Sequence, residues 1–386
     1  MSVKSEKSTA SILDKACDCA LLHQGGEADI YELACGEDFY ALKWYHSGCR
    51  FEDSVADRLK HLNIPGLYRV RESGVRDNTP YLIYDFIDGV SSADVPAMPV
   101  AVALKLLRGV VQTLDALNKE NIHHGDINPS NVLLCKSGNS LQTYMIDCGI
   151  VGPGALAYAA PERFQGRPAS MQSDLYSLGM LLFRWIAGAP LLESNVYNEL
   201  AAQAQAIEGV DISSRLYDLE CCKPQELSAL EPLWKALLRE SLENRAEDFD
   251  ELDELLEIAL DSIGVGEVTV QTALQKYAVE ALPEKMGKKF PTERKSAFPY
   301  SQNDNGNKKN TLKIAVLALF GLILIAVVFF VLIGTKGPDI DETGSLLLQK
   351  SRSLESVESG LENREKSAPD TLPPAVLRDL PTPVSE

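Results

Sequence analysis

Positive charge is scarce in this sequence: 37 Lys and Arg stand against 55 Asp and Glu over 386 residues, a net charge of −18. Such a chain does not gather phosphate backbones through its overall field, which excludes a general nucleic-acid binder. Cysteine is scarce too. Eight in 386 residues is far from a disulfide scaffold. Cys17 and Cys19 stand one residue apart and Cys221 and Cys222 are adjacent, spacings that suit neither a zinc site nor an obvious bridge. They read as reduced, mostly buried thiols of a cytoplasmic domain. There is no internal repeat. Met1 to Ala10 is polar and reads as no signal peptide, because it has no apolar core before a cleavage site. What the chain does have is an ordinary apolar fraction, 45%, so whole-chain disorder is excluded. Its length allows two to three domain-sized units.

Long apolar runs are also missing, with one exception. From Ile314 to Gly334 the sequence reads IAVLALFGLILIAVVFFVLIG, uncharged and about the ~20 residues that an α-helix needs to cross the hydrocarbon core. Buried globular helices rarely run so far without a polar face, so a transmembrane span is expected over 314–334. Before it, Lys285, Lys288, Lys289, Arg294, Lys295, Lys308, Lys309 and Lys313 far outnumber the acids. After it, Lys336 is quickly followed by Asp339, Asp341 and Glu342. Positive residues stay on the cytoplasmic side, which predicts a cytoplasmic N-terminal bulk and an extracytoplasmic tail at a cell membrane. The organisation expected is an extension over 1–10, a folded domain over 11–263, a basic juxtamembrane linker over 264–313, the span, and an acidic tail over 335–386. The tail is too poor in apolar residues to fold alone, and disorder is expected there. Leu347, Leu354 and Leu361 recur every seven residues, which leaves a short dimerising helix, and so a homodimer, as the alternative.

The most informative stretch is His123-His124-Gly125-Asp126-Ile127-Asn128-Pro129-Ser130-Asn131, which leads into an apolar run. An Asp followed five residues later by an Asn can bring both side chains to one phosphate site. Asp126 would orient an attacking hydroxyl or accept its proton, and the Asn131 carbonyl would help hold Mg²⁺. Asp147 then emerges from a second apolar strand at a Gly turn, placed as another metal ligand; carboxylate and amide oxygens suit a hard cation. Upstream, Phe39 to Trp44 alternates like a strand and carries Lys43 to the interior face. A buried Lys needs an anionic partner, and phosphates supply one. Gly25 and Gly26 lie between two strand-like runs, where a hairpin could cover phosphates. Alone that signal is weak, since a Gly-Gly pair is most often only a turn.

In this order the residues resemble the eukaryotic-like Ser/Thr protein kinase family, in its bacterial receptor-type single-pass form, over roughly 11 to 263. The resemblance rests on the Gly hairpin, Lys43, HGDINPSN in place of the catalytic loop, DCG in place of DFG, and Ala160-Pro161-Glu162. Ser173-Asp174-Leu175-Tyr176-Ser177-Leu178-Gly179 looks like the start of the long large-lobe helix, whose Asp braces the catalytic loop. Arg245 sits where a late Arg pairs with the Glu of APE, here Glu162. Tyr81 to Gly89 resembles the strand and hinge that receive adenine. The implied fold is α+β and bilobal, with a β-rich small lobe and a helical large lobe. The implied cofactors are ATP and Mg²⁺, and the implied partner is a protein substrate. Asp126, Lys43 and Asn131 would be catalytic. Gly25, Gly26, Ile30, Ala41, Lys43, Tyr84 (as gatekeeper), Asp85 and Ile87 would bind the nucleotide, and Asn131 and Asp147 the metal. Aminoglycoside and choline phosphotransferases share the HGD loop but lack the APE and SDLYSLG elements, so a small-molecule phosphotransferase ranks behind a protein kinase.

The chain departs from the family at several points. The pattern G-x-G-x-x-G reads His23, Gly25 and Ala28, which restricts close backbone approach to phosphates. The small-lobe helix Glu that pairs with the strand Lys has no clear match, and Asp57 fits best by spacing. The catalytic-loop Arg is Gly125 and the Lys two residues after the Asp is Asn128, a loss of transition-state charge stabilisation. From Asp147 to Glu162 there is no Ser or Thr, and Ala155 stands where Thr is expected. Regulation by Ser/Thr phosphorylation of that segment is therefore not expected. These losses make a membrane-tethered pseudokinase the second reading. Elsewhere the bland readings are preferred. The resemblance gives the first His of the pair a packed role under the catalytic loop, and His46 and His61 read as surface or core fillers. Cys135 and Cys148 read as small buried hydrophobes, with Cys148 close to the nucleotide. Glu247 to Leu256 reads as an amphipathic helix with a solvated acidic face, and no calcium loop.

Overall fold

Alternating apolar and polar residues between Asp18 and Tyr45 fold into three antiparallel strands, β1 (Asp18–Gln24), β2 (Ala28–Cys35) and β3 (Asp38–Tyr45). The computed structural model describes residues 11–47, 53–137, 140–148, 154–264, 266–282 and 298–299. With β4 (Val70–Arg76) and β5 (Thr79–Asp85) the first three strands make one five-stranded antiparallel sheet, in the order β1-β2-β3-β5-β4. Asp77 and Asn78 both take positive φ (50° and 60°), the backbone a two-residue hairpin needs for its twist to match the strands. Helix α1 (Ile12–Lys15) precedes the sheet and α2 (Asp53–Lys60) interrupts it between β3 and β4.

Side chains alternate across the sheet, and that alternation divides the small lobe into two tasks. Leu33, Leu42 and Ile83 point to one side, where they bury against Leu13, Cys19, Trp44 and Tyr81. Ala41, Leu82 and Tyr84 point to the other and join the core that continues into the second lobe. Lys43 shares the Ala41 side by the same two-residue period.

The second lobe is helical around a small sheet of β6 (Val90–Ser91), β7 (Val132–Ser137) and β8 (Ser140–Met145). Helix α3 (Val100–Lys119) buries Leu104, Leu107, Val111 and Leu114 at three- and four-residue spacing, one continuous stripe. After α4 (Pro161–Phe164) comes α5 (Met171–Ala187), which is buried almost all round and forms the lobe's axis. Its start is fixed by a capping box between Ser170 and Ser173, and Gly188 ends it in the left-handed conformation (φ 76°). Helices α6 (Tyr197–Gln205), α7 (Ile212–Asp218), α8 (Pro224–Leu237) and α9 (Phe249–Ser262) complete the lobe. On α9, Phe249, Leu252 and Leu256 are buried as the spacing requires. Its acidic face is not wholly solvated, because Asp253 takes the Arg108 guanidinium of α3 in a fork at 2.7 and 2.8 Å.

Part of the expected linker is not a linker: Glu267–Ala281 forms α10, which packs on α3 and β8. Val270, Leu274, Tyr277 and Ala278 are buried, and the Tyr277 hydroxyl donates to the Pro96 carbonyl at 2.8 Å. The four form an i, i+4, i+7, i+8 stripe within a polar segment, and it becomes core only because the large lobe offers it a surface. Farther on, Phe298 packs against the small-lobe cluster. The expected span at 314–334, the tail and its heptad leucines lie outside the described residues. Among the described residues no helix is long and apolar enough to cross a membrane.

Candidate active site

The cleft is assembled from both lobes. Opposite Ala41 on the sheet stands Tyr84, buried and edge-on to Tyr68 with ring centroids 5.1 Å apart. Asp85 ends β5, and Ile87 lies in the segment that leads from it into the second lobe. The Asp85 carboxylate is forked by Arg71, at 2.5 and 2.7 Å, which anchors this segment to β4. On the roof, Gly25 and Gly26 form the turn between β1 and β2, closed by the Gly25 N–H donating to the Ala28 carbonyl at 3.1 Å. A Cβ at Gly25 would come within 2.6 Å of that oxygen, so glycine is required there. Ile30 sits farther along β2, paired with Lys43.

Lys43 is buried at 7% exposure, and its ammonium lies 2.9 Å from Asp147 Oδ1. Burial pushes its pKa down, but Asp147, Tyr45 and Glu27 outweigh that, and the net shift is upward. The Tyr45 ring centroid is 5.3 Å from the ammonium. Asp57 does not serve as a second anionic partner. Its side chain is 66% exposed and pairs with Lys60 one turn along α2 at 2.8 Å. The reason is geometric: spacing within a helix fixes which residues share a face, whereas the rotation of that face toward Lys43 is set by packing, and Ala56 and Leu59 take the buried side.

The catalytic loop is held by a set of buried polar contacts. Asp174 of α5 accepts main-chain N–H bonds from His124 at 2.8 Å and Gly125 at 2.9 Å, the brace that the resemblance implied. Burial pushes the Asp174 carboxyl up to about 7, opposed by those two N–H groups and by Arg163. Of the two adjacent histidines, it is the second that packs. His124 is fully buried; its Nε2 lies 2.9 Å from the Ile146 carbonyl and its Nδ1 accepts from the Asp126 N–H at 3.3 Å. These partners fix a neutral ring, and burial lowers its pKa accordingly. His123 is only half-buried.

Within this frame Asp126 and Asn131 meet directly. Asn131 Nδ2 donates to Asp126 Oδ2 and to the Asp126 carbonyl, both at 2.9 Å. The other carboxylate oxygen, Oδ1, accepts from the Ala155 N–H at 2.6 Å. Asn128 caps the following turn by accepting from the Ser130 N–H at 2.9 Å. The register Val132↔Met145 continues as Ile146 N–H donating to the Asn131 carbonyl at 3.0 Å. Asp147 is the next residue, so it and Asn131 lie on neighbouring stretches of backbone. Asp147 takes positive φ, 60°, a strained backbone of the kind that gathers at functional sites. Cys148 is buried and its thiol is pushed up to about 12 by burial, so it behaves as a small hydrophobe.

Beyond the loop, Glu162 and Arg245 form the anticipated buried pair. The fork is 2.7 and 3.0 Å, with side chains 4% and 0% exposed. Arg245 also donates to the carbonyls of Gln172 and Arg239 and lies 5.1 Å from the Tyr176 ring centroid. Two participants were not anticipated from sequence: the Ala155 main-chain N–H, and His46, whose ring reaches the β1–β2 turn. A main-chain donor carries no side-chain signature, and a histidine beyond a strand end looks like any other.

A β-sheet lobe and a helical lobe that meet over a buried Lys–Asp pair and an Asp–Asn loop form the arrangement of a two-lobed phosphotransferase. Residues 41–259 match the family model described as "Protein kinase domain". That is more than half of the chain, which therefore belongs to the protein kinase family. Serine/threonine-protein kinase PkaA of Streptomyces coelicolor is 34% identical over 157 residues, covering 36% of this chain and 28% of that protein. Serine/threonine-protein kinase pkn2 of Myxococcus xanthus is 29% identical over 196 residues, covering 43% and 24%. The chain thus spans only about a quarter of the length of these relatives. Among solved structures, the kinase domain of Mycobacterium tuberculosis PknI, in a double-mutant form, aligns with a TM-score of 0.53 at 19% identity. That alignment covers 64% of this chain and 96% of that one, a likeness of fold.

Proposed function

We propose that this chain is a serine/threonine protein kinase that transfers the γ-phosphate of ATP to a hydroxyl of another protein, from a cytoplasmic domain anchored by a membrane span at 314–334. The observation that carries the reading is the pairing of Lys43 with Asp147 and of Asp126 with Asn131 in the cleft, with the loop that bears Asp126 braced by Asp174 of α5. The donor set suits Mg²⁺. Asn131 commits its amide nitrogen to Asp126, which leaves the carbonyl oxygen as a hard ligand beside the Asp147 carboxylate. When bound, the cation would neutralise phosphate charge. In this reading Lys43 would exchange part of its contact with Asp147 for the α- and β-phosphates. Asp126 would orient the acceptor hydroxyl, and Asp85 and Ile87 would meet the adenine edge. The excess of Lys and Arg before 314 over that after 334 supports the cytoplasmic orientation and an extracytoplasmic tail.

One observation favours the pseudokinase reading: among the described residues no glutamate of α2 pairs with Lys43, and both Asp126 oxygens are engaged within the chain. The test is transfer of label from γ-labelled ATP with Mg²⁺ to a generic protein acceptor, by the full chain and its Asp126→Asn variant. Label on protein that disappears in the variant supports the kinase. Label in neither, with nucleotide still raising the melting temperature, moves the assignment to a nucleotide-binding pseudokinase. Label only on small hydroxyl acceptors moves it to a small-molecule phosphotransferase.

A further inference from the structure

The β1–β2 turn keeps only one glycine of the three that a phosphate-covering hairpin normally uses, and His46 supplies contacts that bear on the deficit. His46 follows β3 directly. Its main-chain N–H donates to the Glu27 carbonyl at 2.7 Å, one step beyond the last β2–β3 pair, Ala28↔Tyr45. Its ring then takes both sides of the turn: Nδ1 lies 3.1 Å from the Gly26 carbonyl oxygen and Nε2 3.2 Å from Asp29 Oδ1. Both of these oxygens are acceptors. A neutral imidazole has one N–H, so either tautomer sets a lone pair against the carbonyl or against the carboxylate. Only the imidazolium donates to both. Among the described residues, the charged or titratable groups at this turn are Asp29 of β2, Glu27 and His23 of β1, whose ring lies against Gly25 and is unchanged in both variants below. The nearby cation, Lys43, is committed to Asp147 and also feels Tyr45 and Glu27.

We propose that His46 is a positioning residue for the nucleotide: as an imidazolium it pins the turn from Gly26 to Asp29, and the cleft then binds nucleotide phosphates more tightly than when the ring is neutral. The inference rests on the reading of this cleft as an ATP site. A carbonyl held by a ring N–H cannot swing onto a phosphate, and a turn ordered in advance loses less entropy on binding. The ring side chain is 41% exposed, so water screens the pair and the effect is modest.

The test is calorimetric affinity for Mg-ATP of the full chain in detergent, beside His46→Gln and Asp29→Asn, at about pH 5.5, 7 and 8.5, the range in which histidines change charge. Taking the ratio of wild-type to variant affinity at each pH cancels the nucleotide's own titration. The wild type is expected to bind about two- to fivefold more tightly than His46→Gln at the acid end, with the ratio falling toward one at the alkaline end. Asn at 29 can donate to the neutral ring, so Asp29→Asn is expected to bind without the wild type's acid preference. That second variant carries the test if His46→Gln fails to fold. A ratio flat across pH, with the wild type binding, overturns the clamp and leaves the ATP site standing. No binding by the wild type at any pH overturns the ATP site, and the clamp with it.

Discussion

At the scale of single residues, the site depends on a few buried polar atoms that have one good partner each. Asp174 satisfies two main-chain N–H groups of the catalytic loop. Replacing it with Ala leaves both donors buried and unpaired, and a loss of about 2–4 kcal/mol is expected in denaturant titration. Its ionisation also sets a pH dependence. The folded carboxyl is raised to about 7, above the unfolded value near 4, so between those limits the folded protein holds a proton that the unfolded chain releases. Stability is therefore expected to fall as pH rises from about 4 to about 7, with that component absent in Asp174→Asn. Gly154 illustrates a different constraint. Its φ is 72°, and a Cβ there would sit 2.5 Å from Asp126 Oδ1. Gly154→Ala is expected to displace Asp126 and lower the rate of phosphoryl transfer at least tenfold with little change in melting temperature. An unchanged rate would show that Asp126 tolerates rearrangement of the segment above it.

At the scale of elements, α4, α5 and the segment before α9 are locked by the Glu162–Arg245 fork. Both side chains are removed from water, so truncating one leaves the other charge uncompensated. Glu162→Ala is expected to destabilise the fold by about 3–5 kcal/mol in equilibrium unfolding. The exposed Asp57–Lys60 pair on α2 is a contrast. Asp57→Ala is expected to change neither stability nor nucleotide affinity measurably, because such pairs contribute little in water. A large loss of ATP affinity in that variant would mean that α2 rotates to bring Asp57 to Lys43.

At the scale of the whole molecule, α10 extends the folded lobe along the sequence to Ala281, past the boundary at 263 that composition suggests. Leu274 is 2% exposed, and Leu274→Ala is expected to cost about 2–4 kcal/mol, read as a fall in melting temperature. The candidate residues Lys43, Asp126, Asn131 and Asp147 were legible in the sequence because each is a chemical type at a fixed place in one strand or loop, and Glu162 and Arg245 through the family resemblance. The strand of Lys43 and the amphipathic α9 were legible because local periodicity reports which face is apolar, whereas the long buried α5 was legible only through the family resemblance of its first turns. Which surfaces meet was not. Asp57 was the wrong partner for Lys43 because a helix's rotation against a sheet is set by packing between distant residues. His124 rather than His123 packs under the loop because that choice depends on the position of the Ile146 carbonyl, brought there by strand pairing. By itself, the sequence determined the residue types and spacings of the candidate site, and its family resemblance carried the two-lobed architecture. Only the tertiary structure decided the pairing of Lys43 with Asp147, the N–H of Ala155 on Asp126, the ring of His46 on the turn and the docking of α10. Each of these joins groups that no local pattern connects.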